Sequence, residues 1–484
     1  MISVEGLSFR FRASATYALR DLTLKVEPGE FVVVTGPSGC GKSTLALAIG
    51  GYLFRQFDGQ AEGCVTVGGI DVRNSPIYDT AEILGLVQQN PEAQFCTLTV
   101  GDEVAFGLEN RCLSRTEIRA RMSWALGIVG AEHLQDRALA TLSGGEKQKV
   151  AIAAMMAAKP QVLIFDEPTS NLDPSATAEV FGVIEHIREK AGITVVVIEH
   201  KVDYLRRFQP RLVRMEEGRI VHDGPMPPSD GPQEQMSCAG SLAPPSAAPL
   251  IRVEDLDAGY NGRPVLRGLS LEVRPGEFVS VMGDNGSGKT TFLHCLLGLH
   301  RPSGGRVQVM GHDTRQTPVS ELARQVGYVF QNPDHQLFGD SVWQEATLAA
   351  RNFGTLDAAL EARVGELLIR CGLGDRRGEH PYRLSYGQKR RLNLLSVLSY
   401  APRLILLDEM LIGQDPANAA FLLGLLGEYS AGGGAVIMVN HAPDVTHRYA
   451  SRLLFFNGGT IAVDAPRGQA FDRLRALGKS AYVC

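Results

Sequence analysis

Residues 142–173 read LSGGEKQKVAIAAMMAAKPQVLIFDEPTSNLD, and the reading of this stretch decides the fold. Ser143, Gly144 and Gly145 present backbone N–H groups at the start of a helix expected over Glu146–Ala158, a place suited to phosphate oxygens. Lys159-Pro160 stops that helix, because proline cannot continue one. A buried strand is expected over Val162–Phe165, and its end delivers two adjacent carboxylates, Asp166 and Glu167. Adjacent acids at the carboxyl edge of a parallel strand suit one Mg2+ contact and one base that orients water.

Upstream, Phe31–Thr35 (FVVVT) is a β-branched run of the kind buried in parallel sheets. It feeds Gly36-Pro37-Ser38-Gly39-Cys40-Gly41-Lys42-Ser43-Thr44, a full GxxxxGK[ST] phosphate loop, with a helix expected over Thr44–Gly50. In that motif Gly36, Gly39 and Gly41 let the backbone amides and Thr44 cradle phosphates, Lys42 reaches the β/γ oxygens, and the Ser43 hydroxyl ligates Mg2+. Cys40 reads as a tolerated variable position inside the loop. Before it, the short apolar runs Leu7–Phe11 and Leu22–Val26 read as an antiparallel layer. Downstream, a helical stretch is expected from about 101 to 130. Val180, Val183, Ile184 and Ile187 share one helix face, and a strand over Thr194–Ile198 ends in Glu199-His200. The basic run Arg206–Arg214 reads as a solvated face.

Gly224–Leu250 changes composition to GPMPPSDGPQEQMSCAGSLAPPSAAPL, in which almost nothing could build a core. It reads as a linker, and as flexible coil it would span roughly 30 Å. After it the pattern returns. Phe278–Met282 enters Gly283-Asp284-Asn285-Gly286-Ser287-Gly288-Lys289-Thr290-Thr291, and Gln331 follows a strand as Gln89 does. Leu384-Ser385-Tyr386-Gly387-Gln388, a strand over Leu404–Leu407 into Asp408-Glu409, and finally His441 complete the second set. The offset is 247 between the lysines, 242 between Ser143 and Ser385 and between Asp166 and Asp408, and 241 between the histidines. Two copies in one order mark a tandem duplication, with domains expected at 1–223 and 251–484.

The order of Ser-Gly-Gly, apolar strand, Asp-Glu-Pro-Thr-Ser and Leu-Asp resembles the ABC-type ATPases, and both halves carry the resemblance. It implies an α/β fold: two tandem P-loop nucleotide-binding domains, each with a RecA-like core, an antiparallel β layer and a small helical subdomain. It implies ATP and Mg2+ as ligands. Phe11 and Tyr260 take the adenine-stacking place, although a core aromatic is the plainer reading of Phe11. Gln89 and Gln331 take the place of the glutamine that senses γ-phosphate and Mg2+, while His200 and His441 become switch histidines beside the catalytic Glu167 and Glu409. In the family one domain's signature completes the partner's site. The two halves would therefore form an intramolecular head-to-tail sandwich of two ATP molecules. Lys42, Gln89, Asp166, Glu167 and His200 would be closed by Ser385 and Gly387, and Lys289, Gln331, Asp408, Glu409 and His441 by Ser143 and Gly145. The second half departs from the pattern at Tyr386 and at Met410-Leu411-Ile412-Gly413-Gln414. A side chain in place of glycine at 386 is expected to restrict the backbone facing the γ-phosphate, so the Lys289 site is expected to turn over faster than the Lys42 site. Met410 beside Glu409 would act in the opposite direction.

Within the family, QNPEAQF at 89–95 and QNPDHQLF at 331–338, each followed by an acidic-apolar helix, resemble the energy-coupling-factor importers. Those work with a transmembrane scaffold and a separate substrate-capturing membrane protein, and take up vitamins or transition-metal ions. Phe95 and Phe338 are expected in the docking grooves. A sugar or peptide importer and a soluble ATPase of translation or DNA repair are the alternatives. The 484 residues carry a net charge of −5, which gives no reason to expect nucleic acid as a partner. Eight cysteines without a CxxC pair argue against a zinc cluster and fit a reducing cytosol. No run approaches the roughly 20 apolar residues of a membrane span. The expected place is the cytoplasmic face of the membrane, bound through partners.

Lys42→Ala together with Lys289→Ala should abolish ATP turnover, since nothing else in either motif neutralises the β/γ charge. Steady-state phosphate release from purified protein tests this, and activity near wild type would refute the assignment.

Overall fold

The run at Phe31–Thr35 is the centre of the first unit in the computed structural model of the chain. β-Branched side chains are stiff at χ1 and favour extended backbone. The strand pairs in parallel with Thr194–Ile198 on one side and Arg211–Glu216 on the other. Val162–Asp166 and Leu84–Val87 extend the sheet beyond Thr194–Ile198, and Arg219–Pro225 closes the opposite edge antiparallel. Successive side chains leave a strand on opposite faces. Thus Phe31, Val33, Leu163 and Phe165 enter one core, and Val32, Val34, Val162 and Ile164 the other.

The structure describes residues 1–227 and 248–483, apart from 13, 15, 171 and 201. These residues form two compact units, one on each side of 228–247. Most of the expected linker, with Cys238, lies outside the described residues, as does Cys484. At its margins, Gly224 and Pro225 still pair with Leu212 and Arg211, and Leu250 is already buried.

In unit one, helix Lys42–Ile49 and a four-stranded sheet (Leu19–Val26, Ile2–Phe11, Gly59–Val67, Ile70–Asp71) cover one face of the central sheet. The other face carries Gly144–Ala157, Pro174–Ala191 and a helical piece. That piece is two helices, Val100–Glu109 and Arg115–Ile128, rather than one stretch, with the chain turning at Cys112 (φ 55°). On Pro174–Ala191, Val180, Ile184 and Ile187 are buried as their spacing requires, and Val183 packs at the margin. The signature helix starts at Gly144, not Glu146. Ser143 caps it by accepting from the Glu146 N–H (3.3 Å), while the Glu146 carboxylate accepts from the Ser143 N–H (2.7 Å). This reciprocal pair satisfies two end amides and draws both glycines into the first turn.

Unit two repeats the architecture. Its parallel strands run Val326–Val329, Leu404–Asp408, Ala435–Val439, Phe278–Gly283 and Arg452–Asn457, with Thr460–Pro466 antiparallel at the edge. The second layer is Arg263–Val273, Ile251–Tyr260, Gly304–Val309 and His312–Asp313. Helix Arg467–Ala476 adds a further apolar cluster around Met282, Phe455 and Tyr482. Each unit is thus an α/β P-loop fold with an antiparallel layer and a helical piece.

The basic run is not uniformly solvated. Arg207 and Arg214 are largely exposed, but Arg211 is a part-buried clamp, bonding Asp223 (2.6 Å) and Glu30 (3.0 Å). It joins two strand edges that sequence distance does not connect.

Phe181 is fully buried on helix Pro174–Ala191, with its ring 5.9 Å from Tyr204. Phe181→Ala should destabilise unit one by about 3–5 kcal/mol through lost burial and a residual cavity. Urea unfolding measures this, and a loss below about 1 kcal/mol would show that the site collapses around the gap.

Candidate functional site

Both phosphate loops adopt the same strained backbone. Gly36 (φ 149°) and Gly283 (φ 148°) pass so close to the neighbouring strand that a Cβ would sit 2.1 Å from the Met215 carbonyl oxygen or 2.3 Å from that of Phe456. Only glycine fits there. Lys42 donates to the carbonyls of Gly36 (2.9 Å) and Pro37 (3.0 Å), and Lys289 to those of Gly283 (2.9 Å) and Asp284 (3.0 Å). The helices begin at these lysines, so Ser43-Thr44 and Thr290-Thr291 occupy the first turn, where free amides and the dipole favour anions. Cys40 is buried beside Lys42, and burial pushes its thiol up, away from the reactive thiolate.

The acidic pair meets this loop. Ser43 Oγ donates to Asp166 Oδ1 (3.0 Å), and Thr290 Oγ1 to Asp408 Oδ2 (3.0 Å). Each glutamate is held from two sides. Gln89 donates to Glu167 (3.2 Å) and His200 Nε2 lies 3.2 Å from its other oxygen. Gln331 donates to Glu409 (2.8 Å) and His441 Nε2 lies 2.7 Å away. Both glutamates have left-handed backbones, φ 48° and 47°, an outlying conformation that functional positions sustain. Burial, opposed by the Ser43 hydrogen bond and reinforced by the Glu167 charge, pushes the Asp166 carboxyl up to about 6. Asp408 is raised too, by burial and then by the Glu409 charge.

A hydroxyl and a carboxylate in contact are hard oxygen donors, which fits Mg2+. Among the described residues no group of three or more His, Cys, Asp or Glu side chains forms a metal cage. The remaining positions of such an ion would fall to phosphate and water, as Mg2+ prefers. The glutamines touch the glutamates rather than the Ser43–Asp166 and Thr290–Asp408 pairs.

Phe11 and Tyr260 end equivalent strands. Phe11 is part-buried, edge-on to Phe9 (4.9 Å) and Phe57 (5.7 Å), whereas Tyr260 is exposed and lies over His300 (4.4 Å). The signature residues Ser143 and Ser385 cap their helices, and Gly145 and Gly387 lie in the first turns.

The departures in unit two are accommodated locally. Gly144 has no left-handed backbone, and a Cβ there meets only a Leu172 methyl at 3.2 Å, so the helical position occupied by Tyr386 does not require glycine. Tyr386 itself sits in the first helical turn without a left-handed backbone. The Tyr386 ring instead leans over Gly413, and its hydroxyl accepts from Arg390 (3.1 Å), a fully buried arginine that also donates to the Phe330 and Gln331 carbonyls. Met410 is buried in the core and Leu411 packs beside it, so Met410 does not line the acidic pair as a free side chain.

The QNP loops correct one expectation. Glu103 is buried and accepts from the amides of Cys96 (2.9 Å) and Thr97 (3.0 Å), while Glu345 does the same for Phe338 and Gly339 (2.7 Å each). Phe338 therefore matches Cys96, and Phe95 matches the buried Leu337. Phe95 packs against the core, while Phe338 is 76% exposed. The two glutamates escaped the sequence reading, although their equal distance from Gln89 and Gln331 was the available signal.

The ABC transporter family model matches residues 19–170 and 266–411. A putative ABC transporter ATP-binding protein of Methanosarcina mazei is 34% identical over 480 residues, covering 97% of this chain and 95% of that protein. The putative HMP/thiamine import ATP-binding protein YkoD of Bacillus subtilis is 31% identical over 515 residues, covering 99% and 93%. A solved structure of cbiO1 from Clostridium perfringens, described as part of the ABC transporter complex cbiONQ, is 27% identical with TM-score 0.43, covering 48% of this chain and 94% of that one.

The raised Asp166 carboxyl makes a pH prediction for metal- and nucleotide-free protein. The unfolded chain loses this proton near the ordinary value of 3.8 and the folded one at about 6. Its stabilising balance is therefore complete below 3.8 and is lost as pH rises to about 6. Asp166→Asn removes that loss, so calorimetry in EDTA should show the variant melting above wild type at pH 7.5, with the gap closing toward pH 4. A gap independent of pH would refute the burial effect.

Proposed function

The chain belongs to the ABC transporter family of ATP-binding proteins, ATPases coupled to transport, and from that premise we propose that it drives an importer of energy-coupling-factor type. The observation that carries the ATPase reading is the glutamate pinned between glutamine and histidine beside each phosphate loop. ATP is the substrate. Lys42 and Lys289 neutralise its β/γ oxygens, and the loop amides cradle them. Ser43 with Asp166, and Thr290 with Asp408, would hold Mg2+, which would supply neutralisation of the triphosphate charge. Glu167 and Glu409 orient the attacking water, and their glutamine and histidine partners fix the carboxylates for it. In this reading His200 and His441 also donate to the γ-phosphate.

In this reading the halves close head to tail, with Ser385 and Gly387 completing the Lys42 site and Ser143 and Gly145 the Lys289 site. Swinging such a switch from 1:99 to 99:1 takes about 5.5 kcal/mol of differential binding. Hydrogen bonds to charged groups, at about 1.5–3 kcal/mol each, supply that from a few contacts per site. Hydrolysis removes the γ-phosphate contacts and with them the closure.

The import reading rests on the paired QNP loops and is supported by the name of the Bacillus subtilis relative, a putative HMP/thiamine import ATP-binding protein. Buried Glu103 and Glu345 hold these loops so that Leu98 and Phe338, 84% and 76% exposed, stand free. Apolar side chains on rigid loops suit the docking of a helix from a transmembrane scaffold. Among the described residues no helix is long and apolar enough to cross a membrane, so attachment to the cytoplasmic face is assigned to that scaffold and its substrate-capturing companion.

Leu98→Asp with Phe338→Asp should release the ATPase from its membrane partners, at least tenfold less copurifying, while ATP binding is unchanged. Phe95→Asp should instead lower stability, because its ring packs on the core. Pull-down from solubilised membranes with mass spectrometry tests this, and a fully retained scaffold would place docking elsewhere. Copurifying ribosomes or DNA would refute the transport reading.

A further inference from the structure

The two phosphate loops differ beside their first glycine: Pro37 in unit one, Asp284 in unit two. Asp284 is engaged on both oxygens by a segment far along the chain. Tyr482 Oη donates to Oδ1 (2.7 Å) and Lys479 Nζ donates to Oδ2 (2.7 Å). The segment is itself anchored. The Lys479 amide bonds the Leu474 carbonyl (2.9 Å) at the end of helix Arg467–Ala476, and the Tyr482 amide bonds the Lys479 carbonyl (3.0 Å). Tyr482 is 1% exposed and meets Phe455 edge-on at 4.9 Å. Phe455 lies on the strand paired with Met282, immediately before the loop. The same Asp284 backbone receives Lys289 through its carbonyl. The anchor therefore runs from the last helix to the residue that holds the phosphate-binding lysine.

We propose that Lys479 and Tyr482 are positioning residues for nucleotide in unit two, holding the phosphate loop through Asp284 and neutralising a carboxylate that would otherwise repel polyphosphate. Like charges repel most strongly at short range, so an uncompensated carboxylate on this loop opposes an incoming triphosphate. Burial pushes the Asp284 carboxyl up, but the bonds from Lys479 and Tyr482 outweigh it and hold it below the ordinary range. Pro37 carries no charge and has no side-chain donor or acceptor, so unit one does not use this device. The two loops thus share a motif while one depends on a remote segment. The proposal rests on the reading that residues 283–291 take the ATP phosphates.

The test is equilibrium binding of mant-ATP to the full chain without Mg2+, in a Lys42→Ala background that leaves unit two to load and in a Lys289→Ala background that leaves unit one. Lys479→Gln with Tyr482→Phe should weaken unit two about tenfold, which is 1.4 kcal/mol, and leave unit one unchanged. Lys479→Arg should retain affinity. Adding Asp284→Asn to Lys479→Gln should recover most of the loss, which repair of a packing defect would not do. Unchanged affinity in unit two, an equal loss in both units, or no recovery with Asp284→Asn would each overturn the proposal. Should the double variant melt early, Lys479→Gln alone, with the buried tyrosine intact, decides the same question through its recovery by Asp284→Asn. If Lys42→Ala with Lys289→Ala still binds mant-ATP as the single variants do, the phosphate-loop reading falls, and not merely the role of the 479–482 segment.

Discussion

The register of three parallel strands governs the site. Val34 stands opposite Ile198, and Ile198 stands opposite Asp166, so the strands that lead to the phosphate loop, the acidic pair and the histidine end level with one another. The pairing continues one step past the strands: the Glu167 amide bonds the Ile198 carbonyl (2.9 Å) and the Glu199 amide bonds that of Val34 (3.1 Å). Unit two repeats this with Val281, Val439 and Asp408. A slip of one residue would turn every side chain to the wrong core. It would also part Ser43 from Asp166. Apolar burial on both faces is thus what sets distances among charged groups at the edge.

That edge carries strain. A left-handed backbone costs an ordinary residue about 1–2 kcal/mol, and both glutamates adopt it. The amide bond to the neighbouring strand and the side-chain bonds to glutamine and histidine hold them there. The glutamine sits on a loop whose own amides are gathered by a buried glutamate from the next helix. One side-chain amide contact thereby links that loop to the glutamate at the strand end.

Around this shared frame the halves use different chemistry. Thr169 bonds Glu199 (2.7 Å) in unit one, whereas unit two places Leu411 and Asn440 there, and Asn440 turns to Ser280 (2.7 Å). Gln148 becomes the buried Arg390, which ties the signature helix to the glutamine loop. In each case a changed residue comes with a changed partner.

The sequence by itself determined the duplication, the strands at Phe31–Thr35 and Thr194–Ile198, the phosphate loops and the acid pairs, because these depend on local rules: β-branched runs, glycine spacing and strand length. It misplaced the start of the signature helix, since capping by Ser143 and Glu146 is a reciprocal geometry rather than a composition. It also matched Phe95 with Phe338, an error of one residue that the buried glutamates correct. Tertiary structure alone decided that Tyr386 fits without backbone strain, that Arg211 is a clamp, and that Lys479 and Tyr482 reach Asp284. The reason is separation along the chain: contacts nearly two hundred residues apart follow from how strands and helices pack, and no local pattern encodes them.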